Sequence, residues 1–263
     1  VVEGGEETEA KKAIVSNVNV KQLFLDMLQP EDLPPGFTNK VRHLLPAPYS
    51  CLLQNLALKD APIFKAGLKE GPDQDVNKAY YVNTCLFMED YLKTFDQARY
   101  GYPISKCTTV GVATLYDPSR APEGRHTGYI VQFEPYELKD GGTAKWDEIK
   151  NKVADEVLET VRAYTTNMGD DNILGRYIQS PYDIYKNNHA MVDGDIGHLG
   201  MFMSQSFANR PLPGWGRYRT PIKNLYMCGT STHPGLGVTG GGRATVQIIM
   251  EDLGLDFKKV IAK

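Results

Sequence analysis

The chain has 263 residues, of which 41% are hydrophobic and 23% are charged, which is close to the globular average and argues against disorder or a fibrous repeat. It carries 29 basic and 32 acidic residues, a formal net charge of -3, and no basic stripe with interleaved aromatics, so we predict that it does not bind nucleic acid. No apolar run approaches the roughly 20 residues needed to cross a bilayer, and no signal peptide is recognisable, which predicts a cytoplasmic protein and leaves peripheral membrane contact open.

The cysteines are too widely spaced to form a zinc motif or a dense disulfide framework. They are Cys51, Cys85, Cys107 and Cys228. We therefore expect reduced thiols and no metal site.

The first predicted elements are a strand, a Gly-Gly turn and a second strand over residues 12–17. Two strands alone are marginal in water, so this hairpin needs a sheet to pack on. The first residue is Val rather than Met, and the chain reads as though it begins in the middle of a fold. We expect a preceding segment or a partner subunit to supply the rest.

The pattern over residues 20–28 has apolar residues at helical spacing and is followed by three prolines, which predicts a short helix that ends there. A second short helix is predicted over residues 38–45. Residues 50–60 form a mixed apolar run that predicts a strand, and residues 62–76 are polar and predicted to be a loop.

The next predicted elements are a strand over residues 79–87 and a helix over 88–101, closed by Gly101. Two more strands follow, at residues 108–115 and 127–133, and the connection between them is rich in Pro and Gly. This arrangement predicts an antiparallel pair with a long connection.

The clearest helix is predicted over residues 144–164, where one face is apolar and the other is charged. Its apolar face consists of Trp146, Ile149, Val153, Val157 and Val161. A loop-rich region is predicted over residues 169–216, a strand over 224–229 and a helix over 242–253. Antiparallel strands with helices on one side predict an α+β fold, with the last strand, loop and helix in a separate nucleotide-binding layer.

The last of these segments, "NLYMCGTSTHPGLGVTGGGRATVQIIMEDLG", carries the main functional signal. Gly229 allows a sharp turn close to a ligand, and three glycines lead into a helix whose N-terminus attracts anions. The spacing is neither that of a Walker loop nor that of the first dinucleotide fingerprint. A strand, glycine loop and helix with a purely structural role stays an alternative on this evidence alone.

The stretch "GWGRYRTPIKNLYMCGTSTHPGLGVTGGGRATVQIIMEDLG" resembles the C-terminal flavin-binding motif of the phytoene desaturase (carotenoid desaturase/isomerase-like) family of FAD-dependent oxidoreductases. The segments "SPYDIYK" and "GDIGHLGMFMSQSFANRPLPG" resemble other parts of the second half of that family. The resemblance implies a substrate-type domain with an antiparallel sheet and helices, plus the closing strand, loop and helix of a Rossmann-like FAD-binding domain. It places residues 1–19 and 216–263 in the FAD domain and residues 20–215 in the substrate-binding domain.

By this resemblance, the loop would lie along the isoalloxazine ring and ribityl chain, and the helix N-terminus would point at the pyrimidine edge of the flavin. The implied cofactor-binding residues are Cys228, Gly229, Thr230, His233, Pro234, Gly235, Gly237, Val238, Thr239, Gly240, Gly241 and Gly242. Many related flavoproteins have an acidic residue where this chain has Thr230.

His233 is the candidate catalytic residue, because it could shape the substrate face of the flavin or assist proton removal; a bond to the loop backbone is the structural alternative. The resemblance places His198 and Gln205 near the substrate. Arg217, Tyr218 and Arg219 could contact FAD phosphates or a partner, or form a solvated turn. Asp183 and Asp195 do not form a credible acid/base pair from sequence alone.

The function implied is FAD-dependent dehydrogenation or desaturation of a hydrophobic substrate, with hydride passing to flavin N5. The family's FAD fingerprint lies in its N-terminal half, so the expected partner is that half or a subunit that carries it, giving a heteromer. Two alternatives stay open: a flavin-dependent non-redox double-bond isomerase and a flavin-free interaction subunit.

Overall fold

The structure is a computed structural model that describes residues 5, 7–69, 71–235 and 240–261. The chain divides into two compact units: the sheet unit, residues 48–189, and the loop unit, residues 1–47 with 190–263. These limits differ from residues 19 and 215, where the sequence divides the cofactor and substrate roles, and that assignment of roles stays a prediction.

Seven strands and six α-helices are seen in the described residues. The strands are β1 (Ile14–Ser16), β2 (Ser50–Leu58), β3 (Tyr81–Asn83), β4 (Thr109–Gly111), β5 (His126–Glu134), β6 (Ile173–Gln179) and β7 (Leu225–Met227). The helices are α1 (Phe37–Arg42), α2 (Met88–Arg99), α3 (Trp146–Tyr164), α4 (Pro181–Asn187), α5 (Gly241–Asp252) and α6 (Phe257–Ile261).

The sheet unit contains a five-stranded antiparallel sheet of order β3-β4-β5-β2-β6. β2 and β5 pair along their whole length, from Ser50 opposite Glu134 to Leu58 opposite His126. Alternate residues of these strands are buried, which is the period-2 pattern of a sheet covered on one face. Leu56 and Ile130 pack there against Val157 of α3, so the amphipathic helix predicted from the sequence closes the core.

The predicted loop at residues 169–216 is wrong over residues 173–187, where the structure has β6 and α4. β6 contains Gly175 and Arg176, which hide the strand pattern, and it is held by pairing with β2. α4 begins with a capping box between Ser180 and Asp183 and has Pro181 at its first position. The predicted loop at 62–76 likewise contains short 3-10 turns.

The expectation of four reduced thiols is also wrong, because Cys85 and Cys107 form a disulfide. Asn83 lies opposite Thr109 in the antiparallel pair of β3 and β4, and Thr84 donates to the carbonyl of Thr108. This register brings the two cysteines opposite each other. Cys51 and Cys228 are free thiols.

The loop unit contains one parallel strand pair, in which Ile14, Val15 and Ser16 lie opposite Leu225, Tyr226 and Met227. The first strand of the predicted N-terminal hairpin lies outside the described residues, and the strand predicted at 12–17 is β1. The predicted helix at 20–28 is a π-helical turn over Gln22–Asp26.

A small apolar core forms between this turn and α1, where Phe24 packs edge-on against Phe37. In the parts of the chain that the structure describes, no helix is long and apolar enough to cross a membrane. The mixture of helices with an antiparallel sheet agrees with the predicted α+β class.

Candidate functional site

The predicted cofactor loop begins directly after β7. The backbone N–H of Cys228 donates to the carbonyl of Ser16 at 2.9 Å, which extends the parallel pair by one residue. Gly229 then turns the chain with φ +79°, a value that favours glycine, and a Cβ there would lie 3.4 Å from that of Asn17. The loop therefore leaves the sheet in close contact with Asn17, the residue that follows β1.

Arg210 holds the first part of this loop. Its side chain is fully buried and its guanidinium donates to the carbonyl of Thr230 from Nε at 3.1 Å and from Nη2 at 2.8 Å. The same group donates to the carbonyls of Gly197, Leu199 and Gln205 at 2.7, 3.2 and 3.3 Å. Because all these acceptors are backbone oxygens, Arg210 ties two loops together without a carboxylate in direct contact.

Gly235 lies against the other side of this arginine. Its φ is +80°, and a Cβ would lie only 2.8 Å from Arg210 Nε. Any other residue would therefore be strained in its backbone and would displace the guanidinium. Arg210 and Gly235 together fix the path of the loop from Thr230 onward.

His198 joins the same network through the loop hydroxyl of Ser231, with Nδ1 and Oγ 3.0 Å apart. Ser231 Oγ also accepts from the backbone N–H of Val20 at 3.1 Å, and Asn19 Nδ2 donates to the carbonyl of His198 at 3.2 Å. Burial, and then the positive charge of Arg210, lower the pKa of His198 to about 4. The imidazole is therefore neutral at physiological pH.

Gln205 and Asp195 brace the segment that carries His198. Gln205 accepts from the N–H of Leu45 at 3.1 Å and donates to the carbonyls of Leu45 and Gly200. Asp195 accepts from the N–H groups of Ala47 and Gly197 at 3.0 and 2.6 Å. Burial raises the pKa of Asp195, while these bonds act in the opposite direction.

His233 lies in the middle of the loop and is only partly covered. The hydroxyl of Tyr218 donates to its carbonyl at 3.1 Å, and the ring of Phe207 lies 6.3 Å from its imidazole. Its Nδ1 is buried and has no hydrogen-bond partner among the described residues. A buried nitrogen of this kind is available to a bound group.

The helix after the loop, α5, begins with glycines. Gly240 occupies the N-cap position, and the first turn contains no acidic residue. A Cβ at either Gly240 or Gly242 would meet no atom of the described residues within 4 Å. By contrast, α2 has Glu89 and Asp90 in its first turn, and α3 has Asp147 and Glu148.

Arg219 binds the C-terminal end of α5. It forms ion pairs with Asp252 at 2.7 Å and with Glu251 at 3.3 Å. The Tyr226 hydroxyl also donates to Asp252 at 2.8 Å, and Arg219 is the first of the contacts that lower the pKa of this carboxyl. Arg219 thus attaches α5 to β7. Arg217 is exposed.

The structure places the described predicted cofactor residues in the connection between β7 and α5 and in the first two residues of α5. They are Cys228, Gly229, Thr230, His233, Pro234, Gly235, Gly240, Gly241 and Gly242. Gly237, Val238 and Thr239 lie outside the described residues. His198 and Gln205 reach this connection through Ser231 and Arg210, and the role of all these residues in binding stays a prediction.

The sequence reasoning missed Arg210, Ser231 and Asn19. One signal was present: Arg210 is the only Asp, Glu, Lys or Arg residue between positions 196 and 214. A lone charge in a long uncharged segment favours a buried structural role. Among the described residues, no group of three or more His, Cys, Asp or Glu side chains could hold a metal ion.

No protein-family model matches the chain. It is 31% identical over 261 residues to pyridine nucleotide-disulfide oxidoreductase domain-containing protein 2 of Rattus norvegicus, an alignment that covers 96% of this chain and 44% of that protein. It is 30% identical to one of the subunits of limonene dehydrogenase from Castellaniella defragrans, covering 79% of this chain and 38% of that protein. It is also 30% identical to 4,4'-diapophytoene desaturase of Staphylococcus aureus, covering 70% of this chain and 37% of that protein.

The chain therefore spans less than half the length of these curated relatives. All three carry names of redox proteins, and they fit the oxidoreductase class predicted from the sequence.

Proposed function

We propose that this chain is the C-terminal part of an FAD-dependent oxidoreductase, a dehydrogenase or desaturase of a hydrophobic substrate, and that the connection from β7 to α5 holds part of the FAD. The observation that carries the proposal is the N-terminus of α5, which begins with glycines and has no acidic residue in its first turn. The similarity to a polypeptide of a dehydrogenase and to a desaturase supports the same class of reaction.

The residues around α5 suit an anionic or electron-rich group. A helix N-terminus carries a partial positive charge and donates backbone N–H groups. At α5 the N-cap residue is Gly240, which has no side chain, and no acidic residue of the first turn competes for that position. Among the described residues, no atom lies within 4 Å of where a Cβ would stand at Gly240 or Gly242, so neither position blocks an approaching group.

His233 gives a second point of contact in the same loop. Its Nδ1 is buried and unpartnered among the described residues, and Tyr218 holds its carbonyl. We assign it to hold a polar atom of the flavin or of the substrate. The bound FAD would supply the hydride acceptor, and this chain would position it, exclude water and orient the substrate.

The remaining FAD contacts are proposed to come from a region that this chain does not contain. In the described part of the chain, β1 pairs only with β7. Ile14 and Val15 of β1 are 55% and 48% exposed, and a groove of about 600 Å³ runs beside them. Parallel sheets are normally larger and covered on both faces, so a further strand is expected on this edge.

One of the relatives is named as a subunit of its enzyme, which supports a separate polypeptide as the source of that strand. We therefore propose a heteromer in which the partner carries the FAD fingerprint. Native mass spectrometry of the protein isolated through a tag on this chain, with a visible spectrum of the same sample, tests this assembly. A second polypeptide together with one FAD is the expected result.

Substitutions at Gly242 test the role of α5. Gly242→Asp puts a carboxylate in the first turn of α5, where it suits the helix but repels an anionic group. We expect this variant to fold and to lose FAD, whereas Gly242→Ala, which meets no atom within 4 Å, keeps it. Retention of FAD by Gly242→Asp at the level of Gly242→Ala would refute the assignment, as would an assembled protein without flavin.

A further inference from the structure

A cavity of about 660 Å³ lies on the sheet unit, lined by residues that the proposed flavin site does not use. It is bounded by Asn55, Tyr80, Tyr81, Arg120, Tyr129 and Tyr177, among others. We call it the tyrosine cavity. Its volume is within the range of small-molecule sites, about 300–1,000 Å³.

The strand register explains why the tyrosines meet there. Tyr81 lies opposite Gly111, Gly111 opposite Tyr129, Tyr129 opposite Asn55, and Asn55 opposite Tyr177. Directly opposed residues of an antiparallel sheet project to the same face. These five residues therefore form one row across all five strands, on the face opposite to the one covered by α3.

Gly111 leaves room within this row. A Cβ at this position would lie 2.5 Å from Tyr81 Cε1 and 2.8 Å from its Cδ1, so the tyrosine ring occupies the space above the glycine. Tyr81 also packs edge-on against Tyr80, with ring centroids 4.4 Å apart. The cavity wall is thus built from aromatic faces, which suit a flat ring.

The cavity contains phenol groups that can donate hydrogen bonds. Burial, and then the nearby Cys51 and Tyr81, raise the pKa of Tyr129 to about 12, so its phenol stays protonated and can donate. Tyr177 is 58% exposed, and its side chain is accessible to a ligand. A site with phenol donors favours a ligand with acceptor oxygens.

Arg120 supplies a positive charge at the cavity. Its guanidinium forms no ion pair or hydrogen bond with the described residues. Its positive charge is close enough to Tyr81 to act on the pKa of that phenol, where it opposes the increase that burial causes. The other arginine of the lining, Arg176, is held by Gln54 and Asp155. Arg176 Nη2 has no partner among the described residues but is buried, whereas Arg120 is exposed, so Arg120 is the cation of the described lining that an anion can reach.

We propose that the tyrosine cavity binds a flat ring compound that carries an anionic oxygen group, such as a carboxylate, and that this compound represents the substrate class. The ring packs on Tyr81 and Tyr177, Tyr129 donates to an oxygen, and Arg120 pairs with the charge. The substrate role rests on the proposed function, whereas the binding itself does not.

Calorimetric titration of the flavin-free chain with 2-naphthoate and with neutral 2-naphthylmethanol tests the binding. The wild-type chain should bind 2-naphthoate more tightly than it binds 2-naphthylmethanol. Arg120→Gln should weaken 2-naphthoate about tenfold by removing the charge-assisted contact and leave the neutral probe unchanged. Tyr177→Ala should weaken both probes several-fold, since it removes a ring contact.

Two control variants match these changes in chemistry at exposed positions outside the lining. They are Arg125→Gln and Tyr100→Ala, and both should bind like wild type. The proposal is overturned if neither probe binds, if Arg120→Gln and Arg125→Gln bind 2-naphthoate equally, or if the neutral probe binds as tightly as the carboxylate.

The Gly242→Asp variant separates this proposal from the flavin proposal, because it should lose FAD and still bind 2-naphthoate. In the assembled, flavin-containing protein, 2-naphthoate should shift the visible flavin spectrum if the cavity serves the substrate. An unchanged spectrum under saturating probe would overturn the substrate role.

Discussion

Different forces stabilise the sheet unit and the loop unit. In the sheet unit, the apolar packing between the sheet and α3 includes Leu58, Ile130, Val157 and Val161, each with 0% exposure. The loop unit also has an apolar cluster, but the part that contains the proposed cofactor loop is organised around the buried guanidinium of Arg210 and five hydrogen bonds to backbone carbonyls.

This difference suits the two proposed roles. Apolar packing fixes a sheet in one register, which is what a preformed cavity requires. A charged side chain that binds carbonyls can instead hold irregular loops in place, because those loops have no ladder of their own to satisfy their oxygens. Arg210 therefore holds the proposed cofactor loop at Thr230 and contacts it at Gly235.

The largest effect is expected for Arg210→Met, which keeps much of the side-chain volume and removes every guanidinium donor. Buried carbonyls would be left without partners, and we expect the loop unit to lose about 3–5 kcal/mol of its free energy of unfolding. Each unit contains one of the chain's two tryptophans, Trp215 in the loop unit and Trp146 in the sheet unit. Urea unfolding in a Trp146→Phe background therefore reports the loop unit through Trp215.

Arg217→Met is the matched control for this variant, since Arg217 is an exposed arginine of the same unit. It should change the unfolding free energy by less than about 0.5 kcal/mol. A loss of similar size in both variants, or an equal loss reported by Trp146 in a Trp215→Phe background, would contradict the picture of a polar network confined to the loop unit.

Periodicity predicted the parts of the fold that local pattern controls. The apolar face of α3 and the alternation of β5 could be read directly, because each repeats with the period of its element. β6 could not, since Gly175 and Arg176 interrupt its pattern and its stability comes from β2. The Cys85–Cys107 disulfide likewise depends on the register of two strands, which no spacing along the chain specifies.

The candidate site was predictable only where it is local. Glycines 229 and 235 stand in a turn motif whose chemistry can be read from the residues themselves, and both have positive φ. Arg210 donates to the carbonyl of Thr230, which is 20 positions away, and Asn19 donates to the carbonyl of His198, which is 179 positions away. Contacts of this kind arise from the packing of loops, and a single sequence carries no periodic signal for them.

A smaller effect, limited to acid, is expected from His198. Its pKa is lowered from 6.5 to about 4 in the folded chain, so the unfolded chain binds more protons between these values and stability falls as pH drops through that window. His198→Asn should remove this loss, worth up to about 3 kcal/mol at pH 4. Asparagine tolerates the φ of +58° at this position and can keep a bond to Ser231.

The check is urea unfolding at pH 4 and pH 7 with Trp215 as the reporter, and exposed His43→Asn as the control. At pH 7 the His198 variant should be no more stable than wild type. An acid slope that is the same in wild type and His198→Asn would show that this imidazole does not link the loop unit to pH.

The smallest effect is expected in the sheet unit, and its pH dependence is opposite to that of His198. Glu134 is fully buried, accepts one hydrogen bond from the N–H of Ile104 at 2.9 Å, and its Oε1 has no partner among the described residues. Burial raises its pKa well above 4.5, so the folded chain holds a proton that the unfolded chain releases, and stability falls as pH rises above 4.5.

Glu134→Gln cannot ionise and should stabilise the sheet unit at pH 8 by about 1–2 kcal/mol, with little gain at pH 4. Unfolding followed by Trp146 in a Trp215→Phe background measures this gain, and exposed Glu137→Gln should show none. A gain at pH 8 that does not exceed the gain at pH 4 would mean that Glu134 does not link the stability of the sheet unit to pH.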